Sequence, residues 1–570
     1  MINYTLTEKT IRDSFIDYSG SVAQARVLVD VRDGIKPSFR IILHALREAK
    51  HTHNNPMKKT VSLIGSSFSY YIHGDASAEG IILRAAQPFS YRYPLVEVDG
   101  SAGNQIEAEN WASPRYSSSR LNKLCSYLFI DLEKDTIEEW RESHDGESTY
   151  PSVLPAKGFW GIVNSSFGIG VGLAASIPAF NLREVNSALI KLLWNPNISF
   201  DEIVCMPDFP TGGILLNADE VKESLRHGRG KSCRLRSVVE YDEKKHMLSV
   251  VEIPFMTYTN TICRELETLI ESEDNPGIAR FNDLTGEKPL IEIYLEKRAS
   301  ASKVLKVLYK NTSLQNYFGI NLTMLDDGRY PKVFGWREAM QAYLDHQKVV
   351  FARRYRFDIK RIEKRLNIVR GIIIALNNIE EVVELIKSSK STSEASKKLR
   401  ERFNLDGEQV KAILDIRLAR LASLEVQKFL DEEQSLLNEK EKLERILADE
   451  SLLKKEIEKV LCKVADEFGD ARRTKIVNLE SEEEEEPLEI VSLLLNFTNK
   501  NNIFAYEESS LFTQKRGGVG KKIGLSDNEV VTSVVSTHTN EKVLVFTNLG
   551  NSYSLESKDF LLVRKINLSQ

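Results

Sequence analysis

Apolar positions along the chain follow three different rhythms, and each predicts a different kind of element. Between residues 38 and 50, Phe39, Ile42, Leu43 and Leu46 recur at helical spacing, which lines them up on one side of a 3.6-residue turn. A second short helix is predicted over 59–71 and a third over 75–87, where Ala78, Ile81, Ile82 and Ala85 share one face. The turn between them holds Ile72-His73-Gly74, and Asp75 is expected to cap the third helix by accepting backbone N–H bonds. Two short helices around a tight glycine turn make a helix-turn-helix. Simple helix packing would give the same pattern.

The second rhythm runs through 340–475. Tyr355, Ile359, Ile362, Leu366, Val369 and Ile373 recur at spacings of four and three, and Leu436, Leu443, Ile446, Leu453, Ile457 and Val460 at spacings of three, four and seven. An apolar seam with a seven-residue repeat predicts two long helices packed as an antiparallel coiled coil. Residues 379–428 between them can form a small helical knob. The third rhythm is alternation. Segments 246–254 (HMLSVVEIP) and 289–295 look like strands, and 488–570 alternates around turns such as Thr547-Asn548-Leu549-Gly550, which reads as β structure.

These rhythms divide the 570 residues into an arm over 1–20, a motif-dense domain over 21–160, a mixed strand and helix region over 161–336, and a helical rod with its tip over 337–478. An acidic linker follows over 479–487, where Glu482–Glu486 precede Pro487 and repel one another. The last region is the β unit, 488–570. The overall class is multidomain α+β.

Composition changes the picture little. Apolar residues make up 42% and charged residues 28%, as in an ordinary soluble chain. A net charge of −5 sits badly with a polyanionic partner, but the sign is local. Residues 20–50 carry Arg26, Arg32, Lys36, Arg40, Arg47 and Lys50 against few acids, and the potential at a groove matters more than the total. Five scattered cysteines without CxxC or Cys/His spacing argue for a reducing compartment and against a structural zinc site. Without a signal pattern, or an apolar run of the roughly 20 residues a span needs, the expected location is cytoplasmic, with no membrane partner. Gly228-Arg229-Gly230-Lys231-Ser232 has the look of a phosphate loop, but the pattern requires glycine at 225, which is Leu225. An ATP site is rejected there.

One set of segments carries chemistry. Asp30-Val31-Arg32-Asp33-Gly34-Ile35-Lys36-Pro37, His73-Gly74-Asp75 and Ala112-Ser113-Pro114-Arg115-Tyr116 occur in this order. They are followed by VNSSFGIGVGLAASIPAFNL (163–182), MPDFPTGG (206–213), AILDIRLARLASLE (412–425) and QKRGGVGKK (514–522). Together they resemble the breakage-reunion subunit of type IIA DNA topoisomerases, that is, the gyrase A subunit, its topoisomerase IV counterpart and their phage relatives.

The resemblance implies a winged-helix DNA-cleavage domain over 21–160, an α/β tower over 161–336, and an antiparallel coiled coil over 337–478 that ends in an exit-gate dimer interface. It also implies a partial propeller-like β domain over 488–570. Tyr116 becomes the nucleophile that attacks a DNA phosphodiester and stores the bond energy in a phosphotyrosyl link. Arg115 would neutralise charge on the phosphate oxygens. Arg26, Arg32, Lys36 and Arg40 would hold flanking phosphates, which position DNA without reading its sequence. His73 would donate to the phosphate or orient groups near the tyrosine. Ile177, in Ser176-Ile177-Pro178, would be the apolar wedge that kinks the duplex. Arg229 and Lys231, with Arg234 and Arg236, would meet the bent DNA arms.

The implied substrate is double-stranded DNA. The implied assembly is a homodimer joined to a B-type ATPase/Toprim subunit in an A2B2 heterotetramer. Mg2+ and ATP are both expected on that partner, with no metal site in this chain. C2 pairing is needed because one tyrosine per chain cannot cut both strands. Two other readings compete. A tyrosine recombinase or nickase also forms phosphotyrosine but has no reason for the rod. A non-enzymatic DNA-organising rod explains the coiled coil but not the Arg-Tyr pair.

The chain departs from the family in places. Phe39 and Ile41 flank Arg40 where His and Arg are usual, and Tyr71-Ile72 precede His73 where bacterial members have His-Pro. Ala76 and Gly80 stand where a serine and an acid usually anchor quinolones, so intrinsic resistance is expected. About 80 residues follow the acidic linker, and a closed propeller needs at least four blades of roughly 40–50 residues. Relaxation or decatenation is therefore expected rather than supercoiling.

Overall fold

The computed structural model describes residues 7–144, 146–272, 275–415, 423–477, 492–500, 502–507, 525–526, 528–539, 541–546, 550, 552–557 and 565–567. The chain divides into two compact units, Met1–Asn478 and Leu479–Gln570.

In the first unit the early helical rhythm gives three helices, Pro37–Glu48, Thr60–Ser67 and Asp75–Arg84. Proline opens the first of them, at a position whose N–H would be unpaired in any case. Ile42, Leu43, Leu46, Leu63, Ala78 and Ile82 meet in one core. A small antiparallel sheet of Lys58–Lys59, Ser118–Leu121 and Val96–Asp99 lies beside them, with Ser118–Leu121 in the centre. The helices are shorter than their apolar rhythm. The third stops at Arg84 and passes into turns, because Pro88 four residues on has no N–H to continue it. The expected Asp75 cap is not made. Gly74 holds the N-cap position without a side-chain bond, and Asp75 is the first helical residue, where its charge still suits the N-terminus.

Residues 238–295 form a four-stranded antiparallel sheet in the order Val238–Asp242, Met247–Glu252, Ile291–Leu295, Ile278–Asp283. The helices Thr259–Glu271 and Ala301–Asn311 share its core through Ile262, Leu266, Val304 and Leu308, packed with Leu248, Val250, Ile291 and Ile293. Both predicted strand segments are present. A second sheet joins Gln315–Phe318, Cys233–Arg236, Ile214–Leu215 and Lys475–Ile476. Its last pair is parallel, so the chain returns from the rod to the body it left. Buried Arg92 secures the return, binding Asp208 at 2.9 Å and Asp470 at 2.7 Å. A buried cation needs such partners, since removing them leaves a charge that costs several kcal/mol.

The rod is the 42-residue helix Trp336–Asn377 against Ser423–Ala448. Ion pairs Glu363–Lys440, Arg365–Glu432 and Arg370–Glu433 run in opposite chain directions, so the pair is antiparallel. Tyr355, Ile362, Leu366, Val369 and Ile373 are buried as the repeat predicts. The returning arm is not one helix. It breaks at Asp449, whose carboxylate accepts from the Ser451 N–H and caps a new helix, Glu450–Phe468. Short-chain aspartate favours such a cap over helix interior.

Both legs are fastened to residues 186–203. Trp336 Nε1 donates to the Ile203 carbonyl at 2.8 Å, Arg337 to that of Pro196 at 2.9 Å, and Asn186 Nδ2 to that of Leu461 at 2.9 Å. Further along the long helix, Lys157 is fully buried with Nζ 3.5 Å from the Phe351 ring centroid. Ion pairs Lys134–Asp358 at 3.1 Å and Arg354–Asp131 at 3.3 Å follow it. The tip comprises the helices Ile379–Lys387, Thr392–Phe403 and Gly407–Leu414 around Val382, Leu399, Val410 and Ile413. Part of the ILDIRLARLASLE segment lies outside the described residues.

The second unit is β structure. Its antiparallel sheet runs Val531–His538, Ser492–Thr498, Asn502–Glu507, Lys565–Asn567, and a hairpin pairs Lys542–Phe546 with Ser552–Glu556. Leu493, Leu495, Ile503, Ala505 and Val543 form its core. Glu529 accepts from Asn502, Ser526 and Thr498. These donors, Asn502 foremost, hold its carboxyl at about 2. The acidic linker 479–487, the QKRGGVGKK segment and the 547–549 turn lie outside the described residues. No helix among the described residues is long and apolar enough to cross a membrane.

Candidate active site

Tyr116 closes a tight turn in which its N–H donates to the Ser113 carbonyl at 2.8 Å. The Val61 N–H reaches the Pro114 carbonyl at 3.1 Å, and Lys59 Nζ reaches the Tyr116 carbonyl at 3.3 Å. The next residue, Ser117, is buried with its hydroxyl 2.8 Å from that of Thr60. The main chain around the tyrosine is thus held on both sides, while its side chain is 69% exposed. The Arg115 guanidinium carbon lies 4.9 Å from the Tyr116 ring centroid, within cation–π range. A fixed backbone, a free phenol and an adjacent cation can present a nucleophile to an anionic ester too large to enter a pocket.

The basic residues predicted from 26–40 fall into two classes. Arg26 is exposed, and its Nε lies 3.2 Å from His73 Nε2. Its Nη2 is 2.5 Å from Nδ1, but a neutral imidazole has one acceptor nitrogen, so only one of these contacts is a hydrogen bond. Partial burial, with the Arg26 charge second, pushes His73 below the ordinary histidine value, which favours the neutral ring. Lys36 Nζ donates to the Phe167 carbonyl at 2.6 Å. Burial, then the Arg84 charge, lowers its ammonium to about 8. Arg32 shares its guanidinium between Asp30 at 2.8 Å and Asp327 at 2.7 Å.

Arg40 corrects the sequence reading. It is 3% exposed, and its guanidinium is bound to Asp33 at 2.7 Å and to the carbonyl oxygens of Ser152 and Ile35. Asp33 in turn accepts the N–H groups of Ile35 and Leu154. Arg40 therefore braces the loop 30–35 from inside and has no face left for a phosphate.

Arg26, Lys36 and Gly80 line a cavity of about 890 Å³, and Arg26 and His73 line another of about 480 Å³. Neither cavity includes Arg115 or Tyr116. Within one chain the structure brings Arg26, Lys36 and His73 together, but it does not bring the tyrosine among them.

Ile177 is a second correction. It is fully buried on the hairpin strand Leu173–Ile177, opposite Ser166, so it cannot enter a base step as it stands. The exposed apolar side chains of that hairpin are Phe167 (47%), Ile169 (71%) and Val171 (55%). The pattern was available in the sequence. Phe167-Gly168-Ile169-Gly170-Val171 alternates large residues with glycine, as a strand with one face against a neighbour would. Gly168 lies so close to Val27 that a Cβ there would stand 2.3 Å from the Val27 carbonyl oxygen.

Arg229 and Lys231 are exposed. Arg229 forms a backbone bridge with Asn321, and Asn321 also bridges to Ser176 of the hairpin. Hairpin and arginine therefore share one edge. Among the described residues no group of three or more His, Cys, Asp or Glu side chains is placed to hold a metal ion.

The chain is similar to known proteins over most of its length. Residues 26–462 match the family model for the A subunit of DNA gyrase/topoisomerase IV. The chain is 37% identical over 567 residues to the DNA gyrase A subunit of Staphylococcus epidermidis, and 36% identical over 567 residues to that of Staphylococcus aureus. Each match takes in 97% of this chain and 63% of the relative, so the chain spans under two thirds of the length of these curated relatives. The chain belongs to the family of DNA gyrase/topoisomerase IV A subunits.

Proposed function

We propose that this chain is the DNA breakage-reunion subunit of an ATP-dependent type II topoisomerase. The observation that carries the reading is the turn Ser113–Tyr116, with its bound main chain and free phenol beside Arg115. The Tyr116 oxygen attacks the phosphorus, the phosphotyrosyl ester forms and the sugar hydroxyl leaves. The same hydroxyl reverses the step without new energy input. Arg115 stabilises the charge gathering on the phosphate oxygens.

The three short helices and their small sheet act as the winged-helix unit. Arg26, Lys36, His73 and the remaining capacity of Arg32 hold phosphates, and Ile169 rather than Ile177 serves as the wedge. Residues 161–336 are the tower, where Arg229 and Lys231 steady the DNA arms. The antiparallel rod is the coiled-coil arm of an exit gate. Two copies are required, because each strand needs its own tyrosine, and a partner copy also accounts for the separation of Tyr116 from the Arg26–His73 group.

Mg2+ and ATP are assigned to a B-type ATPase/Toprim subunit in an A2B2 assembly, a reading supported by the likeness to gyrase A subunits. When bound to that subunit, the metal would add charge stabilisation at the attacked phosphate. Relaxation or decatenation is the proposed outcome of the reaction with the partner subunit.

The test reconstitutes the chain with the B-type subunit on supercoiled plasmid with magnesium and ATP, then stops the reaction with detergent. Linear DNA carrying covalent protein is expected. Nicks alone would point to a tyrosine nickase or recombinase, and unbroken DNA to a non-enzymatic DNA-organising rod. Negatively supercoiled product from relaxed plasmid would overturn the relaxation assignment.

A further inference from the structure

The carbonyl oxygens of the turn that carries Tyr116 are held by Lys59 Nζ, at Tyr116, and by the Val61 N–H, at Pro114. The upstream side of the turn is held differently. The Ala112 N–H donates to the Ser101 carbonyl at 3.0 Å, and Trp111 Nε1 donates to Glu79 Oε1 at 2.9 Å. Two residues earlier, Glu109 pairs with Arg84. Glu79 and Arg84 both belong to the helix Asp75–Arg84, so two side chains of one helix grip one loop.

The chemistry of the Trp111–Glu79 contact is specific. The indole N–H is a donor only, and an ionised carboxylate is an acceptor only. Their bond is charge-assisted, and a partly buried setting strengthens it. Glu79 also sits in a helix whose first residues, Asp75 to Ser77, are exposed. A bare carboxylate there would repel a DNA backbone. Turned to Trp111, the carboxylate is occupied within the protein instead.

We infer that Trp111 is a positioning residue for the Tyr116 nucleophile. Its bond to Glu79 sets the distance between the helix Asp75–Arg84 and the turn Ser113–Tyr116, so that the phenol stands in one place relative to DNA received by the helix. This rests on the assignment of Tyr116 given above.

The experiment uses the full chain with the B-type subunit of its own host, supercoiled plasmid, magnesium and ATP. Turnover, KM for DNA, covalent complex and unfolding midpoint are measured for Trp111→Phe, Glu79→Leu, Glu79→Gln and the Trp111→Phe/Glu79→Leu pair. Trp111→Phe is expected to lower kcat about tenfold, with KM for DNA within about twofold, as the loss of one charge-assisted bond made at the reacting geometry requires. Glu79→Leu should match it, and the double variant should be no worse than either single change, since both remove the same bond. Glu79→Gln keeps the acceptor oxygen and should recover most of the rate.

Unchanged kcat in Trp111→Phe, multiplied losses in the double variant, or Glu79→Gln failing as badly as Glu79→Leu would each overturn the role. So would an unfolding midpoint that falls in step with the rate, because the loss would then be one of folding. Tyr116→Phe is run in parallel. Covalent adducts persisting there would overturn the nucleophile assignment itself, whereas their clean loss beside an unaffected Trp111→Phe would overturn only the positioning role.

Discussion

The segment 30–40 and the turn 113–116 both carry arginines and both fall within the matched family region, yet they handle charge in opposite ways. In the segment, Arg32 and Arg40 are bound by Asp30, Asp33 and Asp327. The charges cancel inside the protein, and the product is a rigid backbone. In the turn, hydrogen bonds take up the main chain while the side chains of Arg115 and Tyr116 face solvent. Sequence distance to a carboxylate does not decide which use an arginine is put to. Asp33 lies seven residues before Arg40 and binds it, whereas Glu109 lies six residues before Arg115 and pairs with Arg84 instead.

The comparison breaks most sharply at Tyr116. Tyr116→Phe should abolish covalent DNA complex, read on a detergent-stopped plasmid gel, while DNA affinity stays near the parent value because phosphate contacts supply it. The two arginines should then separate by assay. Arg40→Ala strands Asp33 in the core and should cost about 3–5 kcal/mol of stability, seen as a large fall in unfolding midpoint. Arg115→Ala should leave that midpoint nearly unchanged but slow cleavage by about 10²–10³-fold, the size of losing one transition-state donor. A folding defect in Arg115→Ala, or a stable but slow Arg40→Ala, would reverse the contrast.

The hairpin offers a smaller version of the same test. Ile177→Ala should cost about 2–5 kcal/mol as a buried aliphatic deletion. Ile169→Ala should stay within about 0.5 kcal/mol yet reduce DNA bending measured by end-to-end energy transfer. The mildest effect is expected in the second unit. Glu529 is depressed from an ordinary 4.5 to about 2, so its contribution is fully present above 4.5 and is lost as pH falls toward 2. Acid unfolding of this unit should begin below pH 4.5, and Glu529→Gln should flatten that part of the curve. An unchanged curve would mean the carboxylate is already protonated or unbonded in solution.

Much of this arrangement was legible in the sequence, and the failures have a common cause. Periodicity located the three short helices, the strands at 247–252 and 291–295, and the buried seam of the rod, because each reports which face meets a core. It missed the break at Asp449, where a local cap outweighs an uninterrupted apolar repeat. Motif resemblance named Tyr116, Arg115, Ile177 and Arg40 for surface roles, and the first two are exposed while the last two are buried. Both buried positions are decided by tertiary contacts rather than by the motif itself. Arg40 depends on the path that brings Ser152 and Asp33 to it, and Ile177 on which strand of its hairpin faces inward. The alternation of glycine with Phe167, Ile169 and Val171 did carry that second answer. Trp111 and Glu79, 32 residues apart, left no signal at all.

The long helix also has a mechanical consequence. Up to Tyr355 it is embedded in the body of the first unit. The stretch beyond extends about 30 Å at 1.5 Å per residue, so a tilt of about 10° where it emerges would carry its far end about 5 Å. Among the contacts that resist that tilt is the cluster of Lys134, Asp131, Arg354 and Asp358, whose cations are partly exposed and so open to screening by salt. The arm is therefore a lever on a compliant fulcrum. Its stiffness should vary with ionic strength more than that of the body to which it is bolted.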